Sequence, residues 1–245
     1  MCPMKVRKHK CFLLTTMFLL VVQLAGAQHA WHEITGGLGM SYVTKERSSS
    51  SYTMRMLPTV GLTSFIPFSD RIALKTGAIY QYKGISSSGR GINRDSAEFS
   101  YTTQSTSSYH FINVPLQLAV NIGNNKQGFW RVAGGMSYGF LVAARKQLDF
   151  QTYKDNHLIR TNSLRWKPII GSEQSGNTEG LPGDEGTPLH FFVPALRADV
   201  TYQWQERLLI NAFYEYNLQD VRVRTVGNSV AKLHFTGLSF GVLFW

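Results

Sequence analysis

Few residues in this 245-residue chain have the types and spacing that could do chemistry. Ser108-Tyr109-His110 sets a hydroxyl and an imidazole two residues apart, and on an extended chain such residues share a face. A serine beside a histidine base is a hydrolytic nucleophile, provided a third group orients the base. No carboxylate of the same parity stands opposite this pair. His29-x-x-His32-Glu33 offers two imidazoles and a carboxylate, a minimal metal clamp. His110, His190 and His234 share one parity, but alternate strands would hold them roughly 10 Å apart, too far for one ion. The readings are therefore no catalytic residue, no metal and no cofactor.

A third set is ionic. Arg131, Arg197, Asp199 and Glu215 lie within three segments that alternate between apolar and polar residues, and all four occupy the polar parity. Buried charges persist only when paired, so these four are expected to form a polar network inside the fold. A proton or ion path is the alternative use of the same residues.

The elements that carry them are strands. From Tyr109 to Ile122 the even positions read His110, Ile112, Val114, Leu116, Leu118, Val120 and Ile122, while the odd ones include Asn113, Gln117 and Asn121. Period two is the signature of a strand with unlike faces. The same parity recurs from Ile72, Trp130, His190 and Leu208, and more weakly over 33–44, 54–66 and 231–245. That makes eight strands. Tyr80, Tyr82, Trp130, Tyr202, Trp204, Tyr214 and Tyr216 sit near strand ends on the apolar face. Aromatic girdles of this kind border the lipid-facing band of a membrane barrel, whereas a water-soluble sandwich has no use for them. The fold expected is all-β: an eight-stranded antiparallel transmembrane β-barrel with long external loops.

Connections alternate in length. Those at 67–70, 123–128 and 205–206 are short; those at about 45–53, 85–107, 146–187 and 220–230 are long. Outer-membrane barrels have short periplasmic turns and long external loops, which puts both termini in the periplasm. The loop 146–187 opens basic and aromatic, with Lys154, Arg160, Arg165, Trp166 and Lys167, and closes acidic. Arg160, Arg165, Trp166 and Lys167 are a candidate external binding site, a solvated hairpin being the alternative.

The N-terminus supports export. Lys5, Arg7, Lys8 and Lys10 precede an apolar run from Phe12 to about Leu24, then Ala25-Gly26-Ala27. This is the form of a signal peptide over 1–27, leaving a barrel domain over 28–245. The run is too short for the roughly 20 residues of a spanning helix. Both cysteines, Cys2 and Cys11, fall within it, so the mature chain would have no thiol chemistry. Cleavage would leave 21 basic residues against 15 acidic ones. They are scattered, which excludes a nucleic-acid patch and suits contact with lipopolysaccharide at the rim.

Tyr109-His110-Phe111-Ile112-Asn113-Val114-Pro115-Leu116-Gln117-Leu118, followed by Ala133-Gly134-Gly135-Met136-Ser137-Tyr138-Gly139-Phe140-Leu141, resembles the PorT-like outer-membrane β-barrel family of Bacteroidetes. Asn113-Val114 departs from the acidic-aliphatic pair common there. The resemblance implies an integral outer-membrane protein with a structural, binding or secretion-accessory role. Its partners would be outer-membrane lipid and lipopolysaccharide, the barrel assembly machinery and secretion-system proteins. Two other functions remain open on the same fold. One is a lipid-A-directed hydrolase or acyltransferase using Ser108 and His110; the other is a narrow channel.

Overall fold

The computed structural model describes residues 30–45, 51–92, 99–125, 128–155, 157–168, 170–171, 189–204, 207–221 and 231–244. Residues 1–27, read above as a signal peptide, and His29 lie outside them. The strands are β1 (Trp31–Lys45), β2 (Ser51–Thr53), β3 (Arg55–Pro67), β4 (Ile72–Ile92), β5 (Phe99–Asn125), β6 (Gly128–Lys154), β7 (His157–Trp166), β8 (Phe192–Trp204), β9 (Leu208–Asn217) and β10 (Ala231–Phe244). Eight of them close a ring in the order β1-β3-β4-β5-β6-β8-β9-β10, every pair antiparallel, with β10 returning to β1. Short β2 adds to the far end of β4, and β7 pairs with β6 outside the ring.

The register makes parity a property of the whole wall. Even residues face even residues at Ile72↔Val120, Trp130↔Tyr202 and His32↔Phe244, and odd face odd at Glu33↔Leu243 and Arg197↔Glu215. Each strand thus sends its odd side chains into the lumen. The even side chains form a continuous outer belt that includes Ile34, Leu62, Leu118, Val200, Ile210 and Phe240, all exposed. A soluble protein rarely shows an apolar patch beyond a few hundred Å², and a belt around the full circumference is solvated only by lipid. Trp130, Tyr202 and Trp204 border it at the short-turn end. Tyr42, Tyr80, Tyr82 and Tyr214 border it at the other. Among the described residues no helix is long and apolar enough to cross a membrane, which says nothing against a β-barrel.

Two expected loops are strands instead. The segment 85–107 is mostly the upper part of β4 and β5, paired from Ile85↔Ser107 to Ile92↔Ser100. The start of 146–187 is the upper part of β6 with β7 returning along it, from Lys146↔Trp166 to Lys154↔His157. β5 and β6 each run 27 residues, about 90 Å of chain at ~3.3 Å per residue, where a tilted crossing needs only about 10. Beyond the lipid belt both faces of a strand meet water, so the apolar alternation that marks a strand is lost while the backbone ladder continues. Ser- and Thr-rich sequence there resembles loop for that reason.

One register shift separates the two parts of this hairpin. His110 pairs with Ala143 but Phe111 pairs with Leu141, leaving Val142 as an extra residue on β6. Val142 and Ala143 are both exposed, and the buried parity changes from odd at Leu141 to even at Ala144 and Lys146. A bulge inserts one unpaired residue and increases the local twist.

Candidate functional site

Inside the barrel a polar layer lies between two apolar clusters. Near the short turns Phe65, Ala73, Ala119 and Ala133 pack with Trp31. Toward the long connections Tyr109, Phe111, Leu141, Leu189, Val193, Val221 and Leu233 pack together. The layer between is built from odd residues of β4, β5, β8 and β9, and its seven central side chains (Gln81, Lys83, Asn113, Gln117, Arg197, Asp199 and Glu215) are at most 4% exposed. Eight strands leave an interior that side chains fill.

Arg197 and Asp199, two apart on β8, share the inner face. The guanidinium donates from Nε to Oδ2 at 3.1 Å and from Nη2 to Oδ1 at 2.9 Å, a bidentate grip. Its Nη1 reaches Glu215 Oε2 on β9 at 3.2 Å. Lys83 crosses the lumen from β4 to donate to Glu215 Oε1. Gln81 Nε2 donates to Glu215 Oε2 at 3.3 Å, and Asn113 donates to Gln81 Oε1. Gln117 Nε2 and Asn211 Nδ2 donate to Asp199 at 2.6 and 3.2 Å. Two cations thus meet two carboxylates. Their aliphatic and cationic parts lie against Phe213, Phe111 and Phe235. Gly39 makes room for one of these rings: a Cβ there would come within 2.3 Å of Phe235 Cζ.

A second layer lies closer to the short turns. Lys75 Nζ is 2.9 Å from Glu33 Oε1, which also accepts from Thr63. Arg131 donates from Nε to Asn121 Oδ1 at 2.9 Å and from Nη2 to Gln203 Oε1 at 3.3 Å, with its Cζ 4.2 Å from the centre of the Phe65 ring.

Of the four charges singled out in the sequence, the structure joins Arg197, Asp199 and Glu215 directly and sets Arg131 apart. Arg131 pairs with Thr201, two residues past Asp199, and its side chain lies among Phe65, Trp31 and Phe129. Lys83, Gln81 and Gln117 belong to the network but were not singled out. Their only signal is odd parity; the side-chain contacts that join them reach across the closed lumen.

The other candidates separate. His32 faces outward and shares a hydrogen bond between its Nδ1 and Ser64 Oγ at 2.8 Å, whereas Glu33 faces the lumen. Adjacent residues of one strand point to opposite faces, so no clamp forms. Among the described residues no three metal-binding side chains cluster. Ser108 Oγ accepts from Arg55 Nη1 at 3.1 Å, while His110 Nδ1 shares a hydrogen bond with the Tyr80 hydroxyl at 2.6 Å and stacks on Tyr82. Arg160, Arg165 and Trp166 lie on β7 rather than in a loop, with Lys167 just beyond. Arg160 faces with Thr152 and Trp166 with Lys146, but Arg165 faces with Gln147 on the opposite side, so the four do not form one surface.

A closed ring with a lipid-facing belt and a filled lumen defines an integral membrane β-barrel. The chain belongs to the outer membrane protein beta-barrel domain family, whose model matches residues 27–180. No curated protein matches it by sequence. Similar solved structures include the attachment invasion locus protein Ail of Yersinia pestis, crystallised with the heparin analogue sucrose octasulfate, at 12% identity and TM-score 0.34, covering 88% of this chain and 99% of that one. OprG of Pseudomonas aeruginosa is similar at 12% identity and TM-score 0.40, covering 88% and 96%. The N-terminal β-barrel domain of Pseudomonas aeruginosa OprF is similar at 11% identity and TM-score 0.33, covering 89% and 98%.

Proposed function

We propose that this outer-membrane barrel is a PorT-like, non-catalytic protein whose work is binding outside the cell, in a structural or secretion-accessory role. The observation that carries the reading is the four-stranded blade of β4, β5, β6 and β7 rising beyond the lipid belt. A protein that only had to cross the membrane would need strands of 9–11 residues. Here the added length is spent on a polar sheet whose last strand, β7, is exposed along nearly all of its ten residues. Both termini are then periplasmic, mature protein begins near Gln28, and lipopolysaccharide surrounds the rim. The barrel assembly machinery inserts the chain, and secretion-system proteins are the candidate partners. The test is a photo-crosslinking residue placed at Arg160 or Thr161 in intact cells. Discrete crosslinked products are expected from these sites and not from the lipid-facing Leu118. Blade sites that crosslink only to lipopolysaccharide would overturn the protein-binding role.

The hydrolase alternative is weakened by the separate hydrogen bonds of Ser108 and His110. The channel alternative is weakened by the filled polar layer. Replacing Ser108 or His110 by alanine should leave lipid A acylation unchanged by mass spectrometry; a changed acyl-chain number would restore the enzyme reading.

A further inference from the structure

The buried ions of the two lumen layers do not balance. Lys75, Lys83, Arg131 and Arg197 are four cations; Glu33, Asp199 and Glu215 are three carboxylates. The salt bridges assign every carboxylate: Glu33 to Lys75, Asp199 to Arg197, and Glu215 to both Lys83 and Arg197. Among the described residues Arg131 forms no salt bridge, although it is 2% exposed, and the carboxylate whose charge reaches it, Glu33, is already bonded to Lys75. Its contacts on Nε and Nη2 are neutral amide oxygens, and its Nη1 has no acceptor. Beside it, Trp31 Nε1 is buried and also lacks an acceptor. The guanidinium carbon is 5.6 Å from the Trp31 ring centre. A buried N–H without a partner is unfavourable, and an uncompensated buried charge is more so. A water molecule could satisfy the hydrogen bonds but would leave the charge.

From these two adjacent orphan donors and the missing counter-charge, we infer that Arg131 and Trp31 form the binding site for an oxyanion, a carboxylate or phosphate group, at the short-turn end of the lumen. The aromatic rings of Phe65, Trp31 and Phe129 around the guanidinium lower the local dielectric and hold the donor fork rigid, which strengthens a charge-assisted bond to such a group. Trp31 is the first residue of β1, which places the site at the periphery of the lumen's short-turn end. The site lies at the opposite end of the barrel from the blade and does not depend on the blade's role.

The experiment uses the full mature chain refolded in detergent micelles, with folding checked by heat-modifiable migration. The indole N–H resonance of Trp31, assigned with Trp31→Phe, is followed while sodium acetate, inorganic phosphate or sodium chloride is added at constant ionic strength. A saturable shift with acetate alone identifies a carboxylate ligand. One with phosphate alone identifies a phosphoryl ligand, and one with both identifies the oxyanion itself. Chloride should give none, and folded Arg131→Met should abolish the shift. Unfolding by urea supplies the second readout: the saturating anion should raise the midpoint of the unaltered protein and leave that of Arg131→Met unmoved. Absence of a saturable shift, an equal response to chloride, or a shift that survives in Arg131→Met would overturn the inference.

Discussion

Glu215 holds the polar layer together, because it accepts from Lys83 and Gln81 on β4 and from Arg197 on β8. Removing its charge would strand Lys83 in a medium that solvates it poorly and leave Arg197 with Asp199 alone. Breaking a buried ion pair by deleting one partner costs about 3–5 kcal/mol, so Glu215→Gln should lower the urea midpoint of refolded barrel strongly. Arg160→Gln, exposed on β7 outside the ring, should leave it nearly unchanged. At the same scale, Leu116→Arg places a cation on the lipid face, at a cost of about 2–4 kcal/mol near the midplane. Assembly should fall, measured as the folded band on an unheated gel. These single positions also mark how far a sequence speaks. The inward parity of Arg197, Asp199 and Glu215 was legible from alternation alone. That Lys83 reaches Glu215 was not, because a contact across the lumen depends on strand stagger around the closed ring, which no local pattern records. Arg131 has the right parity, yet its height on β6 places it in another layer.

The bulge at Val142 decides which faces β6 presents above and below the lipid rim. Flanking residues already carry the correct sides: Leu141 and Ala144 are buried, Val142 and Ala143 exposed. Deleting Val142 should therefore leave every neighbour on its present face and the barrel assembled. Deleting Val132, within a strictly alternating run, should exchange the faces of the residues on one side of it, since a one-residue slip moves every side chain across the sheet. The folded band should persist in the first variant and vanish in the second. The last strand obeys the same logic. Phe244 pairs with His32 in the outward register of Phe240 and Val242, so Phe244→Ala should reduce assembled barrel more than Trp245→Ala, whose residue lies outside the described ones. The eight ring strands were readable as elements because lipid on one side and a lumen on the other impose period two. The blade was not, because His157-Leu158-Ile159-Arg160-Thr161-Asn162-Ser163 has no unlike environments to alternate between.

At the scale of the molecule, apolar clusters above and below a closed ionic layer make a solid interior. Purified barrel in planar lipid bilayers should show no steady single-channel conductance, and discrete reproducible steps would revive the channel reading. The distribution of charge along the chain has a further consequence. The buried ions of β1 to β6 are Glu33, Lys75, Lys83, Arg131 and Lys146, a net excess of positive charge, whereas β8 and β9 supply Arg197, Asp199 and Glu215, a net excess of negative charge. The two parts of the wall are therefore opposite in sign. A sheet ending at β6 already pairs Lys75 with Glu33, but it holds Lys83 without a mate until Glu215 arrives on β9. Closing the ring is what supplies that mate, so the buried Lys83–Glu215 pair and the closed wall form together.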